Sequence, residues 1–254
     1  MKNLNLKEEF EKIIQQNHYY LKFNRGKKIS YKNYYSNPKD PDGKKRDLLN
    51  EEKYKISQMK VILEFLNKKL PNKQREILDI GCGFGWLLKN IKEKYWKKYG
   101  LEINEVAKNI AKKNKIKVFN DLSLLKNKKF DVVSMIHVIE HLRKPISELK
   151  KIKKKIKRKG YLIIETPDFD SAMARKYNKK FRLLHDKTHI SLFSAESLMR
   201  LVRNLGFQII KVEYPYFEGP FFNKKNILKL FKKNNKELSP PFYGSVVTVF
   251  AKKK

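Results

Sequence analysis

A single cysteine in 254 residues excludes a disulfide framework and any cysteine-based metal site. No run of about 18 apolar residues is present, so no membrane-spanning helix is expected. The first residues lack the apolar core of a secretory signal. These absences point to a cytoplasmic chain. Arginine is also scarce, at nine of the 60 basic residues. Its planar fork of donors is the usual choice for phosphate and base recognition. The net charge of +34 favours anionic partners such as nucleic acid, anionic lipid or phosphorylated sugars. Lysine spread over nearly every segment instead fits solvated faces. Nucleic acid is therefore the weaker partner expectation, and peripheral contact with an anionic membrane is a modifier of any function.

What is present centres on residues 77–85, Ile-Leu-Asp-Ile-Gly-Cys-Gly-Phe-Gly. A buried-looking strand carries Asp79 and breaks into Gly81, Gly83 and Gly85, and a run of helical composition from Trp86 to Tyr95 follows. Alternate glycines let the backbone turn sharply and approach a ligand. The helix start then offers unpaired N–H groups to the ligand's polar end. Cys82 is expected as a small side chain in this tight turn. The dinucleotide fingerprint needs a third glycine where Trp86 stands, so the loop is of another kind. About twenty residues on, Tyr99-Gly100-Leu101 ends in Glu102, placed to accept from both hydroxyls of a ribose. A third strand-like run, 116–119, ends in Asn120-Asp121, suited to an adenine edge.

The strand–helix alternation continues with strands near 130–136 and 160–165, whose continuous apolar runs suit a sheet covered on both faces. A helix is expected from Pro145 to about Lys157, with Ile146, Leu149, Ile152 and Ile156 on one face and lysine elsewhere. Another is expected over 195–205. Two β-rich runs, 207–214 and 244–251, close the chain. Ahead of the loop, Ile56, Met59, Ile62, Leu63 and Leu66 predict a helix ending near Pro71. Residues 1–52 form an arm in which Leu6, Phe10, Ile13 and Ile14 keep helical spacing, followed by tyrosines at 19, 20, 31, 34 and 35. These aromatics either cap the site as a lid or pack the arm onto the domain. Asn37 to Gly43 is a turn signal.

The ordered pieces Leu78-Asp79-Ile80-Gly81-Cys82-Gly83-Phe84-Gly85, Gly100-Leu101-Glu102, Phe130-Asp131-Val132-Val133, Val138-Ile139-Glu140-His141 and Lys159-Gly160-Tyr161-Leu162 resemble the class I S-adenosylmethionine-dependent methyltransferases over residues 75–210. The run Thr166-Pro167-Asp168, then histidine, then Leu192-Phe193-Ser194 is similar to the ubiquinone-biosynthesis O-methyltransferase type. The resemblance implies an α/β, Rossmann-like, seven-stranded, mostly parallel sheet with the last strand antiparallel and helices on both faces. It also implies a division into an arm at 1–52 and a methyltransferase domain at 53–254, with an insertion near 218–240. The implied cofactor is S-adenosylmethionine, leaving as S-adenosylhomocysteine. Gly81, Cys82, Gly83 and Gly85 would hold its methionine part together with Asp79. Glu102 and Ile103 would hold the ribose, and Asp121 and Leu122 the adenine. His137 would border the cofactor at the exit of the fourth strand.

For the transfer itself, an oxygen acceptor needs its proton removed. His137, Asp168, His185 and His189 are the candidate catalytic residues, all following the fourth or fifth strand. Glu140 and His141 are expected to bond their own loop. His185 and His189 are four apart, a spacing that serves zinc on a helix. No third ligand has clear spacing, so no metal site is expected. Ser134-Met135-Ile136-His137 stands where enzymes that methylate base amino groups resemble one another in an Asp/Asn-Pro-Pro-aromatic tetrad. The expected acceptor is accordingly a small molecule or saccharide, methylated on oxygen. RNA methylation and cofactor binding without turnover are the alternatives.

Overall fold

The computed structural model describes residues 10–15, 18–23, 34–35, 38–39, 43, 45–70, 73–215, 223–231, 238–240 and 245–254. Two strands come first, β1 (Phe10–Gln15) and β2 (His18–Phe23). Helices α1 (Glu52–Gln58) and α2 (Lys60–Glu64) run into one π-turn, Phe65–Lys69, ahead of β3 (Arg75–Ile80). Next come α3 (Trp86–Lys89), β4 (Trp96–Leu101), α4 (Glu105–Lys113), β5 (Lys117–Phe119) and β6 (Phe130–Ile136). Helix α5 (Pro145–Lys154), β7 (Ile156–Pro167), α6 (Ala172–Tyr177) and β8 (Ser191–Leu192) follow. The chain closes with α7 (Ala195–Asn204), β9 (Phe207–Glu213), α8 (Lys224–Phe231) and β10 (Val246–Lys253).

Seven strands form one sheet in the order β5-β4-β3-β6-β7-β10-β9. Strands β3 to β7 pair in parallel, and β10 enters antiparallel between β7 and β9. Successive side chains on a strand point to opposite faces, and both faces are covered here. Leu78, Val133, Leu162 and Val249 pack with Ile146 and Leu149 of α5 and Leu198 and Leu201 of α7. Ile77, Val132, Ile163 and Phe250 pack with Ile62, Phe65, Leu66, Leu87 and Ala111 on the other side. Each such apolar side chain contributes roughly 1.5–3 kcal/mol through burial. The sheet order reverses between β3 and β6, which opens a crevice at the carboxyl ends of these strands.

Three local expectations differ from the structure. Phe10–Gln15 is a strand, not a helix: it pairs antiparallel with β2, which in turn pairs with β8. Tyr20 of β2 is buried and stacks on Phe193 at 5.3 Å. Pairing with β2, itself anchored on the distant β8, therefore outweighs local helical spacing in the arm. Leu6 and Tyr31 lie outside the described residues, as do Phe221 and Phe222 of the expected insertion. Trp86 to Tyr95 is one helical turn to Lys89 and a separate 3-10 turn at Glu93–Tyr95. Helix α5 stops at Lys154, because Ile156 already pairs with Phe130 as the first residue of β7. Among the described residues no helix is long and apolar enough to cross a membrane.

Candidate functional site

A cavity of about 400 Å³ occupies the crevice. Its floor is made by the ends of β3, β4, β6 and β7, which bring in Asp79, Glu102, His137 and Glu165. Tyr34, Tyr35 and Arg46 of the arm form another part of the wall, with Tyr35 against Phe84 at 5.0 Å.

The glycine loop is tied down by its own main chain. Gly81 and Cys82 N–H groups donate to the Leu101 carbonyl at 2.8 and 3.1 Å, fixing the loop to the end of β4. The Gly83 N–H donates to Glu102 Oε2 at 3.0 Å, and the Asn104 N–H to Glu102 Oε1 at 2.8 Å. Gly81 has φ +68°, and a Cβ there would lie 2.5 Å from Val138 Cγ2. Gly85 has φ +80° and sits behind the loop, where a Cβ would meet Ile116 Cδ1 at 2.3 Å and Ala111 Cβ at 3.2 Å. Gly85 packs the loop onto α4 and does not line the cavity. Gly81, Cys82, Gly83 and Ile103 do line it. Burial pushes the Cys82 thiol well up, which removes it from consideration as a nucleophile.

Carboxylates at the strand ends are held by hydroxyls on neighbouring strands. Ser134 Oγ donates to Asp79 Oδ1 at 2.7 Å, Thr166 Oγ1 to Glu140 Oε2 at 2.9 Å, and Thr248 Oγ1 to Glu165 Oε2 at 2.7 Å. Asp79 is fully enclosed, and burial pushes its carboxyl up to about 7 against the Ser134 hydrogen bond, with the Glu102 charge adding to the rise. Burial raises Glu165 also, opposed by His137. Three acids, Asp79, Glu102 and Glu165, thus face one cavity in a protein of net charge +34. That donor set suits a ligand carrying positive charge and hydroxyls.

His137 has a left-handed backbone, φ +52°, uncommon for a residue with a Cβ. Its N–H donates to the Glu165 carbonyl at 2.9 Å, so β6 continues to pair with β7 through the turn. The imidazole lies between two buried carboxylates, with Nδ1 3.3 Å from Glu140 Oε1 and Nε2 3.5 Å from Glu165 Oε1. Burial alone would raise Glu140, but the His137 hydrogen bond and the charges of His141, His137 and His189 bring it down to about 2.

The other expected residues lie elsewhere. Asp121 caps the short turn Leu122–Leu125, accepting from the Ser123 N–H at 2.7 Å, and neither Asp121 nor Leu122 lines the cavity. Asp168 accepts from the Asp170 and Ala195 N–H groups at 3.0 and 3.2 Å, which ties the exit of β7 to the start of α7. His185 Nε2 donates to the Lys179 carbonyl at 2.8 Å. His189 is buried, with Nδ1 donating to the Leu183 carbonyl at 2.8 Å. Asp168, His185 and His189 are all absent from the cavity wall. His185 and His189 do not share a helical face; the first follows a 3-10 turn and the second lies in the loop before β8. Sequence reasoning missed Glu165 and His141 as wall residues. A lone acid closing the apolar run Tyr161 to Ile164 was the available signal for Glu165, since a buried charge needs a reason.

Comparison with known proteins agrees with this geometry. A family model described as a methyltransferase domain matches residues 51–212, more than half of the chain. A ubiquinone biosynthesis O-methyltransferase of Pelagibacter ubique is 33% identical over 139 residues, covering 50% of this chain and 58% of that one. An uncharacterised protein of Methanocaldococcus jannaschii is 28% identical over 194 residues, covering 71% of this chain and 79% of that one. Among solved structures, a SAM-dependent methyltransferase of Thermotoga maritima, described as a possible histamine N-methyltransferase, superposes with TM-score 0.54. It is 26% identical, with 81% of this chain and 96% of that one covered. An acid-floored cavity beneath a tethered glycine loop is the chemistry a sulfonium nucleoside requires, and the chain belongs to the methyltransferase-domain family as a class I enzyme whose cofactor is S-adenosylmethionine.

Proposed function

We propose that the protein transfers the methyl group to a hydroxyl of a small-molecule or saccharide acceptor. The cofactor, when bound, supplies an activated methyl carbon on a sulfonium, so the chain's own work is to bind, orient and move a proton. Asp79 and the N–H groups of the loop would take the methionine end. Glu102, with Ile103 beside it, would face the ribose. Asp121 and Leu122 lie off the cavity wall and take no part in this reading. The division into an arm at 1–52 and a catalytic domain is kept in this reading, with Tyr34 and Tyr35 closing the cavity over the reactants.

The observation that carries the reading is the seat of His137 on the cavity wall between Glu140 and Glu165. Glu140 is ionised and can only accept, so Nδ1 carries the hydrogen and Nε2 the lone pair. His137 would take the acceptor hydroxyl's proton at Nε2 as that oxygen receives the methyl group, the cofactor would leave as S-adenosylhomocysteine, and the buried Glu140 and Glu165 would stabilise the imidazolium. The related Pelagibacter enzyme is by its name an O-methyltransferase, which supports oxygen as the target. A cavity partly walled by tyrosines of the arm suits a compact acceptor better than a duplex.

Labelled-methyl transfer screened across sugars, phenols, lipids and RNA tests the proposal. Label is expected on a hydroxylated small molecule or saccharide, and label on RNA alone would overturn it. Replacing His137 with glutamine is expected to lower turnover by at least about a hundredfold while S-adenosylmethionine still binds. Unchanged turnover would remove His137 from the mechanism.

A further inference from the structure

We propose that Glu140, His141 and His189 form a binding site for one divalent transition-metal cation of the zinc type, set against the His137 side of the cavity. The ligand atoms of these three residues lie within 4.8 Å of one another. They come from two segments far apart in the chain: Glu140 and His141 from the turn Ile139–His141 after β6, and His189 from the loop before β8. The segments are locked together by main chain, with the Ile190 N–H donating to the Glu140 carbonyl at 2.8 Å. Ser191 Oγ adds a bond to the Leu142 carbonyl at 2.6 Å.

The orientation of each ligand is already set as a metal requires. His141 Nδ1 meets the Thr188 carbonyl at 3.0 Å and His189 Nδ1 meets the Leu183 carbonyl at 2.8 Å. A carbonyl can only accept, so both rings carry hydrogen on Nδ1 and present the lone pair of Nε2. A backbone carbonyl on the far nitrogen is the usual support for a metal-ligating histidine. Glu140 is steadied in turn by the Thr166 hydroxyl on Oε2 and by His137 near Oε1. Asp186 Oδ2 stands 3.7 Å from His189 Nε2, within reach of a fourth coordination position. Two carboxylates facing two imidazoles give a local charge of about −2 that a divalent cation neutralises. Mixed nitrogen and oxygen donors favour zinc or its neighbours over magnesium or calcium, which take oxygen ligands.

His141 also lines the cavity, which puts a cation held here beside the reactants. A divalent charge held there would make an acceptor hydroxyl in the adjoining cavity more acidic. That consequence alone rests on the methyl-transfer reading; the site itself does not.

Untagged protein stripped with a chelator, free of cofactor and acceptor, should bind one equivalent of Zn²⁺ by calorimetry. With Co²⁺ it should develop visible d–d absorption. His189→Gln should abolish both signals, and Asp186→Asn should weaken binding by roughly tenfold to a hundredfold. His185→Gln should leave metal affinity unchanged, because His185 bonds the Lys179 carbonyl away from the cluster. S-adenosylmethionine affinity, measured on the same samples, reports whether His189→Gln remains folded; should that variant lose cofactor binding, Asp186→Asn decides. Stripped wild-type protein that binds the cofactor but takes up neither ion, or metal affinity indifferent to both substitutions, would overturn the site. Metal uptake without cofactor binding would retain the site and overturn the methyl-transfer reading.

Discussion

Replacing Asp79 with asparagine is expected to stabilise the cofactor-free protein at pH 8 and to weaken its hold on S-adenosylmethionine. The two effects oppose each other on the proposed reading, in which the enclosed carboxylate meets the cationic end of the cofactor. Burial, opposed by the Ser134 hydrogen bond and reinforced by Glu102, brings Asp79 up to about 7 in the folded protein. In the unfolded chain the group titrates near 3.9, as a rough reference. The folded state therefore holds the proton more tightly. Its stabilising contribution is full below about pH 4 and is lost as pH rises towards 7, after which the whole penalty persists. Asparagine keeps an acceptor for the Ser134 hydroxyl and carries no charge, so it should recover a few kcal/mol above pH 7 and nothing near pH 4. Urea melts of both proteins at pH 5 and pH 8, without cofactor, read this difference.

The same carboxylate must ionise to meet a cation. Wild-type affinity is expected to rise about tenfold per pH unit towards pH 7 and then level off. The asparagine variant should lack this rise and bind roughly tenfold to a hundredfold more weakly at pH 8, the loss of one hydrogen bond to a charged group. Destabilisation at pH 8 with undiminished affinity would show that Asp79 serves the fold and not the ligand.

Gly85→Ala should be the most damaging single methyl in the loop. Its φ of +80° costs a side chain of the order of 1–2 kcal/mol. Its Cβ would also overlap Ile116 Cδ1 at 2.3 Å and press on Ala111 of α4. Overpacking of this kind adds roughly 1–3 kcal/mol. Gly43 separates the two terms, because it has φ +86° with nothing within 4 Å of its Cβ position. Gly43→Ala should show the backbone cost alone, and Gly85→Ala a further loss visible as a melting temperature lower by roughly 2–12 °C. Equal losses at the two positions would mean that the loop is not packed tightly onto α4.

The sheet was readable because each central strand is a continuous apolar run, as a surface covered on both faces demands. The loop was readable because only glycine permits its backbone, and Glu102 because it closes the next strand at a fixed distance. Other features depend on backbone pairing and capping that side-chain spacing does not reveal. Phe10–Gln15 has helical spacing yet pairs as a strand, since its stability comes from β2 and, through β2, from β8. Asp121 ends a strand as expected, but the Ser123 N–H captures its carboxylate at the surface. Asp168 is expected at the acceptor from its place after Pro167, whereas its carboxylate accepts from the Asp170 N–H and from the Ala195 N–H that starts α7. The histidines show the limit most clearly. Local spacing pairs His185 with His189, whereas the fold sets His189 against His141, with ring centroids 5.0 Å apart. That contact is made by loop carbonyls, for which side-chain periodicity offers no signal.

Titration calorimetry of the purified protein with S-adenosylmethionine and S-adenosylhomocysteine tests the central claim most directly. One equivalent of each should bind with measurable heat, and Glu102→Ala should reduce it sharply, because Gly83 and Asn104 lose their shared anchor. Silence with both compounds, alongside a clear signal for a nicotinamide dinucleotide or a nucleoside triphosphate, would contradict the account.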